Sequence, residues 1–394
     1  MSLPSSPTAD TVEVTVVIPC LNEEKTVAAC VTQALAAFQS GGLAGEILVA
    51  DNGSSDASRE RAAAAGARVI LVTQRGYGSA LMTGIAAARG PFIVMGDADG
   101  SYDFGEVPRF VAKLREGYDL VQGCRLPAGG GTVAPGSMPW LHRWVGNPCL
   151  SLLARVMFHT KLNDVYCGLR GFTRKFYDRM ELRCTGMEFA TEMIIKSGLH
   201  RARVTEQAIT LHRDGREGAG SHLRTFRDGW RTLRLFLLYS PRWIHLVPSM
   251  LFLFVGLVAG GMAMAEVKIG PATLGAHTLL VAMILIMLGY QGLFLALFTS
   301  TFAWRENLTR ASGFLDGFYR IFTLERGLIL SLLGAAVGAS LVLTVFVEWR
   351  HIGYGPLPYN ETLRKIVPGL LLMALAIQTF FGSFVISLTS LERK

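Results

Sequence analysis

Four apolar stretches after residue 243 (244–265, 277–303, 328–347 and 366–388) constrain this chain more than any other feature. Each is twenty residues or longer, and about twenty helical residues at 1.5 Å per residue cross a hydrocarbon core roughly 30 Å thick. Of the 394 residues, 51% are hydrophobic, too many for an ordinary soluble domain and too few for a chain that lies wholly in the membrane. The chain therefore divides into a soluble α/β part, 1–220, a connecting amphipathic helix, 221–243, and an all-α transmembrane domain of four helices, 244–394.

Charge sharpens the division. Lys and Arg against Asp and Glu stand at 19 to 19 over residues 1–200, 9 to 4 over 201–242 and 10 to 7 over 243–394. The basic excess thus sits just before the first span, which suits an anionic membrane surface; a nucleic-acid binder would carry its basic stripe on the folded domain. Arg305, Arg310, Arg320 and Arg326 fall between spans two and three, whereas the first hairpin loop holds only Lys268. The positive-inside rule then puts 304–327 and both termini in the cytoplasm, against which Arg350, Arg364 and Lys365 count. The N-terminus shows no basic, apolar signal segment, so the soluble part is expected to stay cytosolic, on what would be a bacterial inner membrane. Six scattered cysteines without a CxxC pair read as reduced. Asn307 and Asn360 match the glycosylation sequon but carry little weight.

Strand and helix alternate along the first hundred residues. Val14–Ile18, stopped by Pro19, and then 47–50, 69–72 and 91–95 read as strands, with helices over 24–39, 54–65 and 78–89 between them. Such alternation implies a mostly parallel sheet covered on both faces, with ligands bound beyond the strands' carboxyl ends. Cys20–Glu24, Asp51–Asp56, Arg75–Gly78 and Asp97–Ser101 all fall there. Asn147 reads as the cap of a later helix, with Pro148 in its first turn. From Ser221 to Tyr239, Leu223, Phe226, Trp230, Leu233 and Leu237 share one helical face, and Arg224, Arg227, Arg231 and Arg234 follow one position behind. That is the pattern of a helix lying in a membrane interface; packing on the soluble domain is the alternative.

Asp97-Ala98-Asp99, at the mouth of a buried strand, carries the strongest chemical signal. Two carboxylates at this spacing suit a hard cation, Mg2+ or Mn2+, that shares its remaining sites with a diphosphate. Asp51 ends the second strand, where its carboxylate would take hydrogen bonds from a nucleotide or cap the next helix. Glu23 has a similar choice between ligand and helix dipole.

The segments VVIPCLNEE (16–24), ILVADNGSSD (47–56), GYGSALMTGIAAARG (76–90), GDADGSYDF (96–104), GCR (123–125) and DVYCGLRGFTR (164–174) resemble the family 2 glycosyltransferases. Within that family they resemble the polyprenyl-phosphate enzymes such as dolichol-phosphate mannose and glucose synthases. The resemblance covers residues 12–240 and implies a GT-A fold, Rossmann-like. It also implies a nucleotide-sugar contact set of Pro19, Leu21, Glu23, Val49, Asp51, Asp97, Ala98, Asp99 and Arg125, with the metal on Asp97 and Asp99. Arg216 matches an arginine of the family's Arg-x-x-Gly-x-Ser-Lys stretch, and His222 stands where that stretch has lysine.

The resemblance makes the acceptor a lipid phosphate, which is already charged near neutral pH and needs a cationic cradle rather than a base. Arg125 and Arg143 resemble the acceptor-phosphate arginines, Arg170 would add to the cradle, and Asp164 would position them. Arg143 reads equally as a lipid-headgroup anchor. Processive polysaccharide synthases are the rival, since they activate a sugar hydroxyl with the aspartate of a Thr-Glu-Asp motif. Here the matching text is Thr191-Glu192-Met193, and Tyr239-Ser240-Pro241-Arg242-Trp243 has tyrosine where Gln-x-x-Arg-Trp has glutamine; Glu188 and Glu192 stay open as bases. A catalytically silent scaffold partnering a lipid-linked-sugar flippase is a third reading. The spans hold no central acidic residue, which disfavours a transporter, and read as an anchor, a lipid-side wall and a homo-oligomer contact. The expected activity is inverting transfer of a hexose from a nucleotide-diphosphate sugar, UDP-glucose ahead of GDP-mannose, to a polyprenyl phosphate at the cytosolic face.

Overall fold

The computed structural model describes residues 12–215, 225–240, 242–305 and 313–390. Arg216, His222, Leu223, Arg224, Asn307 and Arg310 lie outside the described residues. Contacts divide the chain into two units, Met1–Phe236 and Leu237–Lys394.

The first unit alternates strand and helix: β1 (Val14–Cys20), α1 (Val27–Gly41), β2 (Gly45–Asp51), α2 (Ser58–Ala64), β3 (Arg68–Leu71), α3 (Tyr77–Ala87), β4 (Phe92–Met95), α4 (Val107–Arg115) and β5 (Leu120–Cys124). All of β1 but Pro19 is buried, as β-branched side chains in a strand covered on both faces should be. Pro19 does not stop the strand, which continues until Cys20 lies opposite Asp51 of β2. Then follow β6 (Thr132–Val133), α5 (Asn147–Phe158), β7 (Arg170–Thr173), α6 (Arg174–Met180), α7 (Glu188–Leu199), β8 (Val204–Ala208), β9 (Thr210–Leu211) and α8 (Thr225–Leu238).

The main sheet has seven strands in the order β3-β2-β1-β4-β7-β5-β8. It is mostly parallel, but β7 runs antiparallel to both β4 and β5. That reversal positions the site. Where β4 and β5 end β7 begins, so Met95 lies opposite Arg170 and the turn 164–169 shares an edge with Asp97 and Arg125. β6 and β9 pair beside the main sheet, and Leu211 bridges to Tyr102.

Asn147 is not a helix cap. A π-helical turn, His142–Gly146, runs straight into α5, and Asn147 is already helical in its dihedrals. Pro148 has no N–H to give the carbonyl of Trp144 four residues back, and the wider turn accommodates that loss. The same arrangement recurs at Arg242–Leu246, four residues of offset separating Ile244 from Pro248.

α8 packs on its own unit along one side. Thr232 and Phe236 are buried, Phe236 meeting Phe158 edge-to-face at 5.4 Å, and Arg231 lies 3.6 Å from Glu188. Along the other side Arg227, Trp230 (60% exposed) and Arg234 face outward. Packing on the soluble domain, the alternative expectation for this helix, accounts for its buried side.

In the second unit, four helices are long and apolar enough to cross a membrane: Arg242–Met264, Ala276–Arg305, Leu324–His351 and Tyr359–Leu388. They contain α9 (Val247–Met264), α10 (Ala276–Arg305), α12 (Leu324–His351) and most of α13 (Tyr359–Ser390). A small hairpin, β10 (Lys268–Ile269) and β11 (Ala272–Thr273), joins the first two, and α11 (Gly313–Ile321) precedes the third. α9 packs on α10, α10 on α13 and α13 on α12. The α12–α13 crossing is close because Gly338 and Gly369 face one another: a Cβ on either would stand 2.7 or 3.0 Å from the other's carbonyl oxygen. Tyr290 and Thr379 hydroxyls bond at 2.6 Å between α10 and α13.

Candidate active site

Asp97 and Asp99 leave β4 two and four residues beyond Met95. The Tyr77 hydroxyl, at the start of α3, donates to Asp97 Oδ1 at 2.9 Å. Burial first, and the neighbouring Asp97 charge second, push the Tyr77 phenol well above its ordinary value, so it stays a donor. Asp97 Oδ2 lies only 2.6 Å from where a Cβ on Gly168 would stand, so the glycine leaves the space that this carboxylate occupies. Asp99 Oδ1 accepts from the Ser101 amide and hydroxyl at 2.9 and 2.6 Å. Its main-chain carbonyl accepts from the Gly215 amide at 2.9 Å, and the Ser101 carbonyl from the His212 amide at 2.9 Å, which draws segment 212–215 over the loop.

A divalent cation needs oxygen ligands, and this loop supplies them. The site offers two carboxylates on one short loop, and no group of three or more His, Cys, Asp or Glu gathers among the described residues. Two hard oxygen ligands suit an ion that keeps water and substrate phosphate in its remaining positions, as Mg2+ and Mn2+ do. The residues fit such an ion, and fit a closed structural metal site poorly.

The other expected donor-side residues divide. Leu21 is exposed at the mouth, while the side chains of Val49 and Ala98 are buried in the core cluster, so neither presents a side chain to a ligand. Pro19 lies half-buried within β1. Asp51 is buried, and its carboxylate accepts from the amides of Gly53 (3.2 Å) and Ser54 (3.3 Å), with Arg59 Nε at 3.8 Å. It anchors the turn before α2. Glu23 Oε2 accepts from the Thr26 hydroxyl at 3.2 Å, and its amide donates to Ser58 Oγ at 2.7 Å.

Across the edge from the carboxylates, Arg125 and Asp164 form a buried fork. Nε and Nη2 of the arginine donate to Oδ2 and Oδ1 at 2.7 and 2.9 Å, and the Arg125 amide donates to Oδ2 at 3.0 Å. Nη1 makes no hydrogen bond among the described residues, so one edge of the guanidinium is left for a ligand. Burial by itself would raise the Asp164 carboxyl; Arg125 and the hydrogen bonds outweigh it and hold the group below its usual range. Glu206 of β8 fixes the turn beneath: its carboxylate accepts from the amides of Asn163 (2.6 Å) and Asp164 (3.0 Å) and from Asn163 Nδ2 (2.7 Å). Neither Glu206 nor Tyr77 stands out in the sequence. Each acts through a pairing that the topology creates, Glu206 across more than forty residues of chain.

Arg170 does not join the cradle. It is fully buried, and its guanidinium donates to the carbonyls of Cys167 (2.9 Å), Ala190 (2.5 Å) and Val165 (3.0 Å). Three carbonyls take three of its five N–H donors, one at each nitrogen, and burial lowers its pKa, which makes it a brace for the 164–170 turn. Arg143 differs. Its Nε is buried without a partner among the described residues, and its guanidinium lies 5.1 Å from the Trp144 ring. Along the helical segment that carries it and continues into α5, Trp140, Leu141, Trp144, Val145, Leu152 and Val156 are all exposed.

Glu192 is taken by structure as well. It is fully buried, its Oε2 accepts from the amides of Arg183 (2.9 Å) and Cys184 (2.8 Å), and Lys196 Nζ lies 3.0 Å from Oε1. It holds the 181–186 loop, whose Thr185 carbonyl accepts from Ser79 N at 3.0 Å in the first turn of α3. Gly76, with φ +137°, is needed there, since a Cβ would stand 2.3 Å from that same oxygen.

Two family models match the chain: glycosyl transferase family 2 over residues 15–180, and the glycosyltransferase family 2 C-terminal transmembrane region over residues 297–390. The low-salt glycan biosynthesis hexosyltransferase Agl6 of Haloferax volcanii is 35% identical over 377 residues, covering 94% of this chain and 87% of that protein. An undecaprenyl-phosphate 4-deoxy-4-formamido-L-arabinose transferase of Salmonella paratyphi A is 34% identical over 212 residues, covering 52% of this chain and 61% of that protein. Among solved structures, glucosyl-3-phosphoglycerate synthase from Mycobacterium tuberculosis aligns at a TM-score of 0.44 and 22% identity, covering 57% of this chain and 79% of that one.

Proposed function

Because this chain belongs to the family 2 glycosyltransferases, we propose that it transfers a hexose from a nucleoside diphosphate sugar, with UDP-glucose favoured, to a polyprenyl phosphate. The chain is a glycosyltransferase and an integral membrane protein. One observation carries the choice of acceptor: the sheet edge that bears Asp97 and Asp99 also bears Arg125, forked on Asp164 with Nη1 unspent. Arg143, with its unpartnered Nε, supplies a second cation on a helical segment whose exposed apolar side chains suit lipid. The Salmonella relative carries an undecaprenyl-phosphate acceptor in its name.

In this reading Asp97 and Asp99 would hold Mg2+ or Mn2+, and a bound ion would supply positive charge toward the diphosphate. Tyr77 and Ser101 fix the two carboxylates. Arg125 and Arg143 hold the acceptor phosphate, already anionic, with one oxygen in line behind the anomeric carbon. A bond forms from that oxygen to the anomeric carbon as the carbon–oxygen bond to the diphosphate breaks, its electron pair leaving with the nucleoside diphosphate. One such displacement inverts the anomeric centre. No proton has to be removed from the acceptor, and the sequestration of Glu192 removes one base that polymer synthesis would need.

The test uses the full chain in membranes with labelled UDP-glucose or GDP-mannose, undecaprenyl phosphate and Mn2+. The expected product is chloroform-soluble and bears one sugar. A product that lengthens would favour the processive reading, and none with any common donor would overturn lipid-phosphate transfer.

A further inference from the structure

A helix face turned to lipid should be apolar, because hydrocarbon offers an amide neither donor nor acceptor. α10 breaks this rule once. From Val281 to Phe302 its exposed positions are Val281, Ile284, Leu288, Gln291, Leu295 and Phe302. The opposite side, including Ala282, Ile286, Gly289 and Ala296, is buried, and α10 packs there on α9 and α13. Gln291 is near the middle of a 30-residue helix. A residue there lies about 15 Å deep in a hydrocarbon core roughly 30 Å thick, too far for so short a side chain to reach water. Its amide makes no hydrogen bond among the described residues.

From Val281 to Leu295 the exposed stripe has steps of three and four residues in turn, and Phe302 follows seven residues on, the 3.5-residue repeat along which two helices pack as a supercoiled pair. A single polar residue in such a seam sets register and partner number. We propose that this stripe is the contact between two copies of this chain, α10 against α10, with each Gln291 bonded to the other across a two-fold axis along the membrane normal. A carboxamide carries donor and acceptor together, so an identical group at the same depth satisfies both. A second copy inserted with the same topology always supplies that group at that depth. A lipid tail cannot supply it. Ile284, Leu288 and Leu295 give the packing, and the amide pair gives the register.

The full-length protein in lipid vesicles tests this, with the exposed Cys149 replaced by serine. Under mild oxidation Leu288→Cys is expected to form a disulfide-linked dimer, while Phe254→Cys, 66% exposed on α9, does not. By single-molecule subunit counting over a range of lipid dilutions, Gln291→Leu is expected to weaken dimerisation about tenfold, roughly 1.4 kcal/mol. Gln291→Asn, which keeps the amide, is expected to retain most of it. Equal cross-linking at Phe254 and Leu288, or a monomer–dimer distribution that Gln291→Leu leaves unchanged, would overturn the proposal.

Discussion

Tyr77→Phe removes one hydroxyl and one hydrogen bond, the one to Asp97 Oδ1. Hydrogen bonds to charged groups are worth about 1.5–3 kcal/mol, and the freed carboxylate recovers part of that by turning to water. The expected result is a five- to tenfold rise in the Mn2+ concentration for half-maximal transfer, about 1–1.4 kcal/mol, with little change in melting temperature. A Mn2+ titration of the transfer rate checks it; an unmoved midpoint would mean that Tyr77 does not hold the carboxylate. Asp164→Asn acts on the other side of the site. It leaves the buried Arg125 without its counter-charge, for which about 3–5 kcal/mol of destabilisation is expected. The folded Asp164 carboxyl sits below the ordinary value of 3.8, so its contribution is complete above that value and is lost as pH falls through the lower folded one. Melting curves of the wild type against the variant should therefore differ at neutral pH and converge only in strong acid. Residue type and strand-end position single out Asp97, Asp99 and Arg125 in the sequence, and the strand order gathers all three at one edge of the sheet. They misread Arg170, because a cradle of three carbonyls has no signature in the chain, and they missed Tyr77 and Glu206, whose partners arrive only with the fold.

Elements were legible where one period ran long enough. β1 to β4 and the helices between them follow from apolar runs and their breaks, and the four spans from length alone. β7 was not, since four residues, Arg-Gly-Phe-Thr, do not say that a strand inserts backwards between β4 and β5. The π-helical turn before α5 escaped for a similar reason: Pro148 reads as a start signal, although the helix begins before it. In the membrane unit the glycine pattern can be tested position by position. A Cβ on Gly338 would lie 2.7 Å from the Gly369 carbonyl oxygen, whereas one on Gly334 would meet Ala376 at an ordinary 3.5 Å. Gly338→Ala should therefore force α12 and α13 apart and destabilise by about 1–3 kcal/mol, as overpacking does. Gly334→Ala should stay within about 0.5 kcal/mol of the wild type. Thermal unfolding in detergent separates the two, and equal shifts would refute the close crossing.

For the whole molecule the open question in the sequence was orientation, because Arg350, Arg364 and Lys365 oppose the side that Arg305, Arg320 and Arg326 favour. Two of the three have carboxylate partners: Arg364 pairs with Glu266, and Lys365 Nζ lies 2.5 Å from Glu348. These pairs join the hairpin after α9 to α13, and α12 to α13, so both cations have a structural use in the ends of the helices that bear them. The rule counts positive charge rather than net charge, so pairing does not erase the conflict; it gives these residues a reason to be retained on the disfavoured side. With four spans, the residues before α9 and after α13 share one side with Glu325, and the hairpin at Lys268 shares the other with Ile352. All three of these positions are exposed. In a Cys149→Ser background, Lys268→Cys and Ile352→Cys should react with a membrane-impermeant maleimide on intact cells, and Glu325→Cys only after the membrane is opened. Labelling of Glu325→Cys from outside would invert the orientation, and would put the residues before α9, with Asp97, Asp99 and Arg125 among them, on the side of the membrane away from the cytosol, against the proposed use of a cytosolic sugar donor.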